Sequence, residues 1–130
     1  MAWGIRVTRR LWAFCLLAGL ALASLAGATG GASAETYTFK MRNLASPVIE
    51  LRFHSTSREA SWPAGGRVWN MTTADVKNYK LNCRAGEQIC YGGSGDGNEW
   101  GVGRDNTQTC RSCCYICRAG GSTRVIDLTD

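Results

Sequence analysis

The chain has one histidine and two prolines among its 130 residues, and its basic side chains after residue 34 never form a run. Nucleic-acid binding needs clustered Lys and Arg, so no nucleic-acid partner is expected. The glycines do not match a phosphate-binding or dinucleotide-binding loop, and the twelve-residue spacing of an EF-hand is missing. These absences exclude several function classes, and no cofactor is expected.

The single histidine, His54, is the only side chain whose ordinary pKa suits acid–base catalysis near neutral pH. It alternates with Glu50 and Arg52 in a predicted strand, so all three are expected on the solvent face. No motif places a serine or cysteine beside it, and a solvated surface histidine is expected instead of a triad. The sequence therefore predicts no catalytic residue.

The first 34 residues have the three-part plan of a cleavable signal peptide. Three arginines precede the apolar run Leu11–Ala26, namely Arg6, Arg9 and Arg10. Small residues at 32–34 predict cleavage before Glu35, and the apolar run is shorter than the roughly 20 residues of a membrane span. Contact with a membrane is thus expected only before cleavage, and both general and twin-arginine export stay open. Twelve basic and ten acidic residues follow, so the formal charge falls from +5 to +2.

Residues 35–130 are expected to form one domain that contains six cysteines: Cys83, Cys90, Cys110, Cys113, Cys114 and Cys117. An even number in a short secreted chain predicts a disulfide framework, with the pairing left open among fifteen arrangements. The motif C-x2-C-C-x2-C at 110–117 also allows a tetrahedral metal site or a redox dithiol. The alternative metal ligands are Cys110, Cys113, Cys114 and Cys117.

Apolar residues recur at alternate positions in several short segments, which predicts an all-β fold. Residues 36–42 and 48–54 alternate most cleanly and are expected to pair as a β-hairpin. Further strands are expected near 67–71, 79–83, 88–91, 110–117 and 123–128. The prediction is a small, disulfide-stabilised sandwich or barrel of about six to eight short strands.

The turn between the strands at 79–83 and 88–91 contains Gly86-Glu87. Glycine in the first central position suits a type II′ hairpin turn. Centring the turn there places Cys83 opposite Cys90, a neighbourhood that permits a cross-strand disulfide but does not require one.

Four residues in predicted loops are candidates for ligand contact: Trp62, Asp96, Trp100 and Arg104. Aromatic rings beside polar groups supply a rigid surface for a protein or carbohydrate partner. Alternatively, the two tryptophans cap the core, as is common in so small a domain. Both interpretations are retained.

A resemblance rests on the string Leu81-x-Cys83-x2-Gly86-Glu87-x-Ile89-Cys90-Tyr91-Gly92, on 100–103 and on the cysteine cluster at 110–117. This pattern resembles small secreted cysteine-rich bacterial domains of uncharacterised function, over about half of the mature chain. The resemblance implies export and disulfides, and it implies no site.

These observations favour a secreted or periplasmic binding module without enzymatic activity. The partner is expected to be a protein or a carbohydrate. The alternative function is metal binding or thiol redox chemistry at the cysteine cluster.

Overall fold

The computed structural model describes residues 33–72 and 74–130. Within these ranges the regular structure is entirely β, and no helix has the length and hydrophobicity of a membrane span. The nine strands are β1 (Ala34–Asn43), β2 (Ile49–Ser55), β3 (Ser61–Trp62), β4 (Trp69–Met71), β5 (Lys77–Arg84), β6 (Gln88–Gly95), β7 (Asn98–Gly101), β8 (Cys114–Ile116) and β9 (Gly121–Leu128). Most of the predicted signal segment, residues 1–32, lies outside the described residues, so its cleavage stays a prediction.

The strands form two sheets. In the three-stranded sheet, β1 lies between β5, which is antiparallel to it, and β9, which is parallel. In the six-stranded sheet, β2 and β6 form the central pair. The other edge of β2 pairs with β3 and β4, and the other edge of β6 pairs with β7 and β8. The predicted all-β sandwich is confirmed, and the count exceeds eight because very short strands flank the central pair.

The core lies between the two sheets because alternate residues of each long strand point inward. Phe39 of β1 and Phe53 of β2 are fully buried, and their ring centroids are 4.6 Å apart. Tyr79 and Trp69 extend this aromatic cluster, with centroids 5.6 and 5.8 Å from that of Phe53. Burial of this apolar area is the main force that holds the sheets together.

The first two strands form where expected, but the hairpin prediction is wrong because β1 and β2 belong to different sheets. Asn43, which is 4 % exposed, organises the connection between them. Its Oδ1 accepts hydrogen bonds from the amides of Ala45 and Ser46, and its Nδ2 donates to the carbonyls of Ser46 and Met71. The buried amide therefore redirects the chain from one sheet to the other.

The predicted hairpin around Gly86 is also wrong, since β5 and β6 lie in different sheets. The amide of Glu87 donates to the carbonyl of Arg84, and Gly86 has φ of 82° in the third position of that turn. A positive φ there is typical of a type II turn instead of a type II′ turn. Cys83 and Cys90 consequently do not pair with each other.

All six cysteines of residues 35–130 form disulfides, as expected: Cys83–Cys117, Cys90–Cys114 and Cys110–Cys113. The first links β5 of the three-stranded sheet to the residue after β8 of the other sheet. The second joins directly opposed residues of β6 and β8. The third closes a local loop, so each bridge constrains a different part of the sandwich.

Candidate functional site

An open cleft of about 390 Å³ lies on the outer face of the six-stranded sheet. Its lining is mostly polar and comprises Arg52, His54, Ser55, Arg58, Glu59, Ala60, Ser61, Asp105 and Asn106. Alternation along β2 directs Arg52 and His54 to this face. The segment before β3 and the loop after β7 form the two sides of the cleft.

The loop at 102–106 lies directly on the sheet because the strand beneath it has glycine at the contact. A Cβ on Gly92 would lie 1.8 Å from the carbonyl oxygen of Gly103. Val102 anchors the loop in a second, small core with Cys90 and Cys113. Glycine in a strand here marks a close approach of two backbone segments.

The floor of the cleft contains the guanidinium group of Arg52, whose side chain is only 15 % exposed. One terminal nitrogen donates to Ser61 Oγ at 2.9 Å, and the other lies 3.6 Å from Asp105 Oδ1. Its Nε is buried and has no hydrogen-bond partner among the described residues. An unpaired buried donor is energetically costly.

His54 is 8 % exposed, so the expectation of a solvated histidine is wrong. The loop residue Arg104 covers it and accepts a hydrogen bond from Nε2 through its carbonyl oxygen, at 2.8 Å. Burial lowers the pKa of the imidazole, although the bond to the carbonyl opposes this shift. The imidazole therefore positions the loop while remaining neutral, and it makes no hydrogen bond to a serine or cysteine of the described ranges.

A group of ion pairs fixes the loop on the sheet. Arg104 contacts Glu50 and Asp105, and Asp105 also faces Arg52. Hydrogen bonding from Arg104 lowers the pKa of the Asp105 carboxyl group, with further help from Arg52. Asp105 is thus held in its ionised form, which suits charge recognition better than proton donation.

A buried carboxylate holds the other side of the cleft. Glu87 has a side chain that is 2 % exposed and accepts hydrogen bonds from Arg58, Ser55 and the amide of Arg84. Burial by itself raises the pKa of Glu87, but these donors outweigh it and lower the pKa to about 2. Arg58 in turn lies over the ring of Trp62, at 5.6 Å from the centroid.

A second cleft of about 470 Å³ adjoins the first and shares four lining residues with it, Arg58 to Ser61. Trp62 and Asn82 line its far side. The two clefts together form a groove along the segment 58–62. This groove combines guanidinium, carboxylate, amide and hydroxyl groups with one indole ring.

The four predicted contact residues are not brought together. Trp62 and Trp100 occupy opposite edges of the six-stranded sheet, roughly 14 Å apart at the usual strand spacing. Each lies in a strand and not in a loop, and each packs against the core. Their Nε1 groups donate to the carbonyls of Asn82 and Thr129, so both rings connect the two sheets. The capping interpretation therefore describes both rings.

Asp96 and Arg104 have separate structural positions. Asp96 has φ of 49° and precedes Gly97 in the tight turn between β6 and β7, as is typical of an Asp-Gly hairpin turn. Arg104 lies on the loop beside the cleft without lining it. Arg52 and Arg58 line the cleft but were missed, since nothing in the local sequence distinguishes them from other exposed arginines.

The cysteine cluster does not form a single four-ligand site in this structure, because its members belong to three different disulfides. Within residues 33–72 and 74–130, no three His, Cys, Asp or Glu side chains converge as metal ligands. No family model matches the chain, and searches of curated proteins and of solved structures find no significant match.

Proposed function

We propose that the protein is an exported binding module without enzymatic activity, and that it holds a carbohydrate in the groove along residues 58–62. The observation that carries this proposal is the guanidinium group of Arg52, which lines the cleft and is held in place by Ser61 and Asp105. A sugar hydroxyl would accept a hydrogen bond from a terminal nitrogen of this group. Binding through a preorganised guanidinium costs little side-chain entropy, because Ser61 and Asp105 already hold it.

The remaining lining supports a carbohydrate ligand. Ser61, Asn106 and Glu59 offer the donors and acceptors that sugar hydroxyls match. Trp62 adds an apolar ring beyond them, in the adjoining cleft. The engaged Nε2 of His54 and the ionised Asp105 support binding over catalysis.

Export is part of the proposal, and three disulfides support it. Disulfides are typical of extracellular and periplasmic proteins, where thiols become oxidised. The charge pattern of residues 1–34 supports the same compartment.

An array of neutral oligosaccharides tests this proposal, with the protein compared to Arg52→Gln. We expect at least one oligosaccharide to bind, with affinity lost at least tenfold in Arg52→Gln. The control Arg67→Gln removes an equal charge from an exposed residue outside both clefts, and it should change affinity less than twofold. In the unmodified protein, the Arg52 Nε–H resonance should shift on binding.

Absence of any bound oligosaccharide would refute the carbohydrate ligand. Equal losses in the two variants would refute the role of the cleft. Thermal unfolding of each variant establishes that it is folded.

A second candidate, thiol redox chemistry, is favoured by one observation. Cys110 and Cys113 form a C-x2-C disulfide in which Cys113 is fully buried and Cys110 is partly exposed. A redox role requires this bond to be reduced reversibly by glutathione while the other two remain. Alkylation and mass spectrometry would measure this, and reduction only on global unfolding would eliminate the candidate.

A further inference from the structure

The two sheets differ in charge. The strands of the three-stranded sheet contain six basic and two acidic residues, a net charge of +4. The basic residues are Lys40, Arg42, Lys77, Lys80, Arg84 and Arg124. The six strands of the other sheet contain one basic and two acidic residues, a net charge of −1. The strands of the two sheets therefore differ in charge, although the formal charge after residue 34 is only +2.

The outer face of the three-stranded sheet presents part of this charge in an ordered array. Lys40 lies beside Asn78, and Lys80 lies beside Thr38. The two lysines are diagonal neighbours on adjacent strands, a relation that places Cα atoms roughly 7–8 Å apart. A shallow groove of about 420 Å³ passes between them and continues to Ser122 of β9.

Neither lysine has an acidic partner. All ten acidic residues lie within residues 35–130, and none forms an ion pair with Lys40 or Lys80 in the described ranges. Arg42, by contrast, is paired with Asp127 at 2.7 Å. Two adjacent ammonium groups repel each other, and an anionic ligand that bridges them would relieve this repulsion.

We propose that this outer face, termed the lysine face and defined by Thr36, Thr38, Lys40, Asn78, Lys80 and Ser122, binds an acidic polysaccharide. Its lysines would pair with carboxylate or sulfate groups, and its hydroxyl and amide groups would bond to the sugar hydroxyls between them. This site lies on the opposite sheet from the cleft and does not depend on the proposed function.

The composition of the lysine face favours a polysaccharide over other anions. It contains no aromatic ring, whereas single-stranded nucleic acids are bound largely by stacking. Val125, which is exposed beside Lys40, is smaller than the Trp, Phe and Leu side chains that anchor a protein in a lipid interface. Hydroxyl and amide side chains between two ammonium groups match a polymer that alternates hydroxyls with charges.

The test measures binding of polygalacturonate in 50 mM and 200 mM NaCl, with neutral dextran as a control polymer. We expect polygalacturonate to bind, and to bind more weakly at the higher salt concentration, whereas any binding of dextran through the cleft should not depend on salt. The double variant Lys40→Gln/Lys80→Gln should lose at least tenfold in affinity. The matched control Arg67→Gln/Arg111→Gln removes the same charge from exposed residues elsewhere and should lose less than twofold.

A second measurement uses the unmodified protein. Polygalacturonate should protect Lys40 and Lys80 from acetylation more than it protects Lys77, as read by mass spectrometry. Equal protection of the three lysines, equal losses in the two variants, or no binding at 50 mM NaCl would overturn the proposal. Tighter binding to duplex DNA or to phosphatidylglycerol vesicles would also overturn it. Arg52→Gln should leave polygalacturonate affinity unchanged, which separates this proposal from the cleft.

Discussion

The two outer faces of the sandwich are built from equally alternating strands, yet their charges are organised differently. On the six-stranded sheet, a loop covers His54, and the charged groups around it are paired, namely Glu50, Arg52, Arg104 and Asp105. On the three-stranded sheet, Lys80 is exposed and Lys40 is half-buried, and neither forms an ion pair in the described ranges. Covering a charge removes its hydration, so a partner is needed, whereas an open charge is stabilised by water.

The two faces therefore differ in the kind of interaction that they offer to a ligand. On the covered face, Ser61 and Asp105 hold the guanidinium group of Arg52 that lines the cleft. The carbohydrate proposed for the cleft would be recognised by aligned hydrogen bonds. The polysaccharide proposed for the open face would be recognised by the summed charge of Lys40 and Lys80. We therefore expect ligand binding to the first to be insensitive to salt and ligand binding to the second to be salt-dependent.

Removal of the Cys83–Cys117 disulfide should lower the free energy of unfolding more than any of the other substitutions below. Replacing Cys83 and Cys117 by alanine removes the disulfide between the two sheets. This bridge joins residues 34 apart in sequence, and its loss should cost about 4 kcal/mol of unfolding free energy. Replacing Cys110 and Cys113 by alanine removes a bridge between residues only three apart in sequence, beside the covered face. Its loss should cost about 1.5 kcal/mol of unfolding free energy. Denaturant unfolding measures both, and equal costs would contradict the view that the first bridge ties the sheets together.

The next effect concerns the buried carboxylate beside the cleft. Glu87→Gln should cost about 2 kcal/mol, because hydrogen bonds between Arg58, Ser55 and a charged acceptor are weakened. The pKa of Glu87 is lowered in the folded protein, so its contribution is complete above about pH 4.5 and is lost as the pH falls towards 2. Thermal unfolding between pH 7 and 2.5 measures this loss. The control Glu59→Gln alters an exposed neighbour, and an equal acid sensitivity in Glu87→Gln and in the original protein would contradict the assignment.

The positions of the long strands were predictable because alternation is local. Tyr37, Phe39 and Met41 identify β1 whichever strand lies beside it. The pairing was not predictable, because a hairpin and a connection between sheets direct the same residues inward. The deciding interaction is the bond from Asn43 to the carbonyl of Met71, 28 residues away, and no local pattern reveals it.

The cleft was less predictable than the strands for the same physical reason. Arg104 was named from sequence, but its contact with Glu50 spans 54 residues. Arg58 and Glu87 meet across 29 residues. One signal was present, since glycine at position 92 within an apolar strand indicates a backbone segment lying directly on it. That signal would have placed the loop on the sheet and so identified the covered face.

The smallest expected effect distinguishes a covered histidine from a solvated one. His54 faces the carbonyl of Arg104, with Arg52 and Asp105 nearby, and burial lowers its pKa below the ordinary value of 6.5. A lowered histidine pKa means that the unfolded chain binds the proton more readily, so stability should decrease as the pH falls below about 6.5. Between pH 7 and 5, where Glu87 stays ionised, this histidine should dominate the slope. His54→Gln should remove most of that slope, and an NMR titration midpoint at or above 6.5 would show that the loop does not cover the ring.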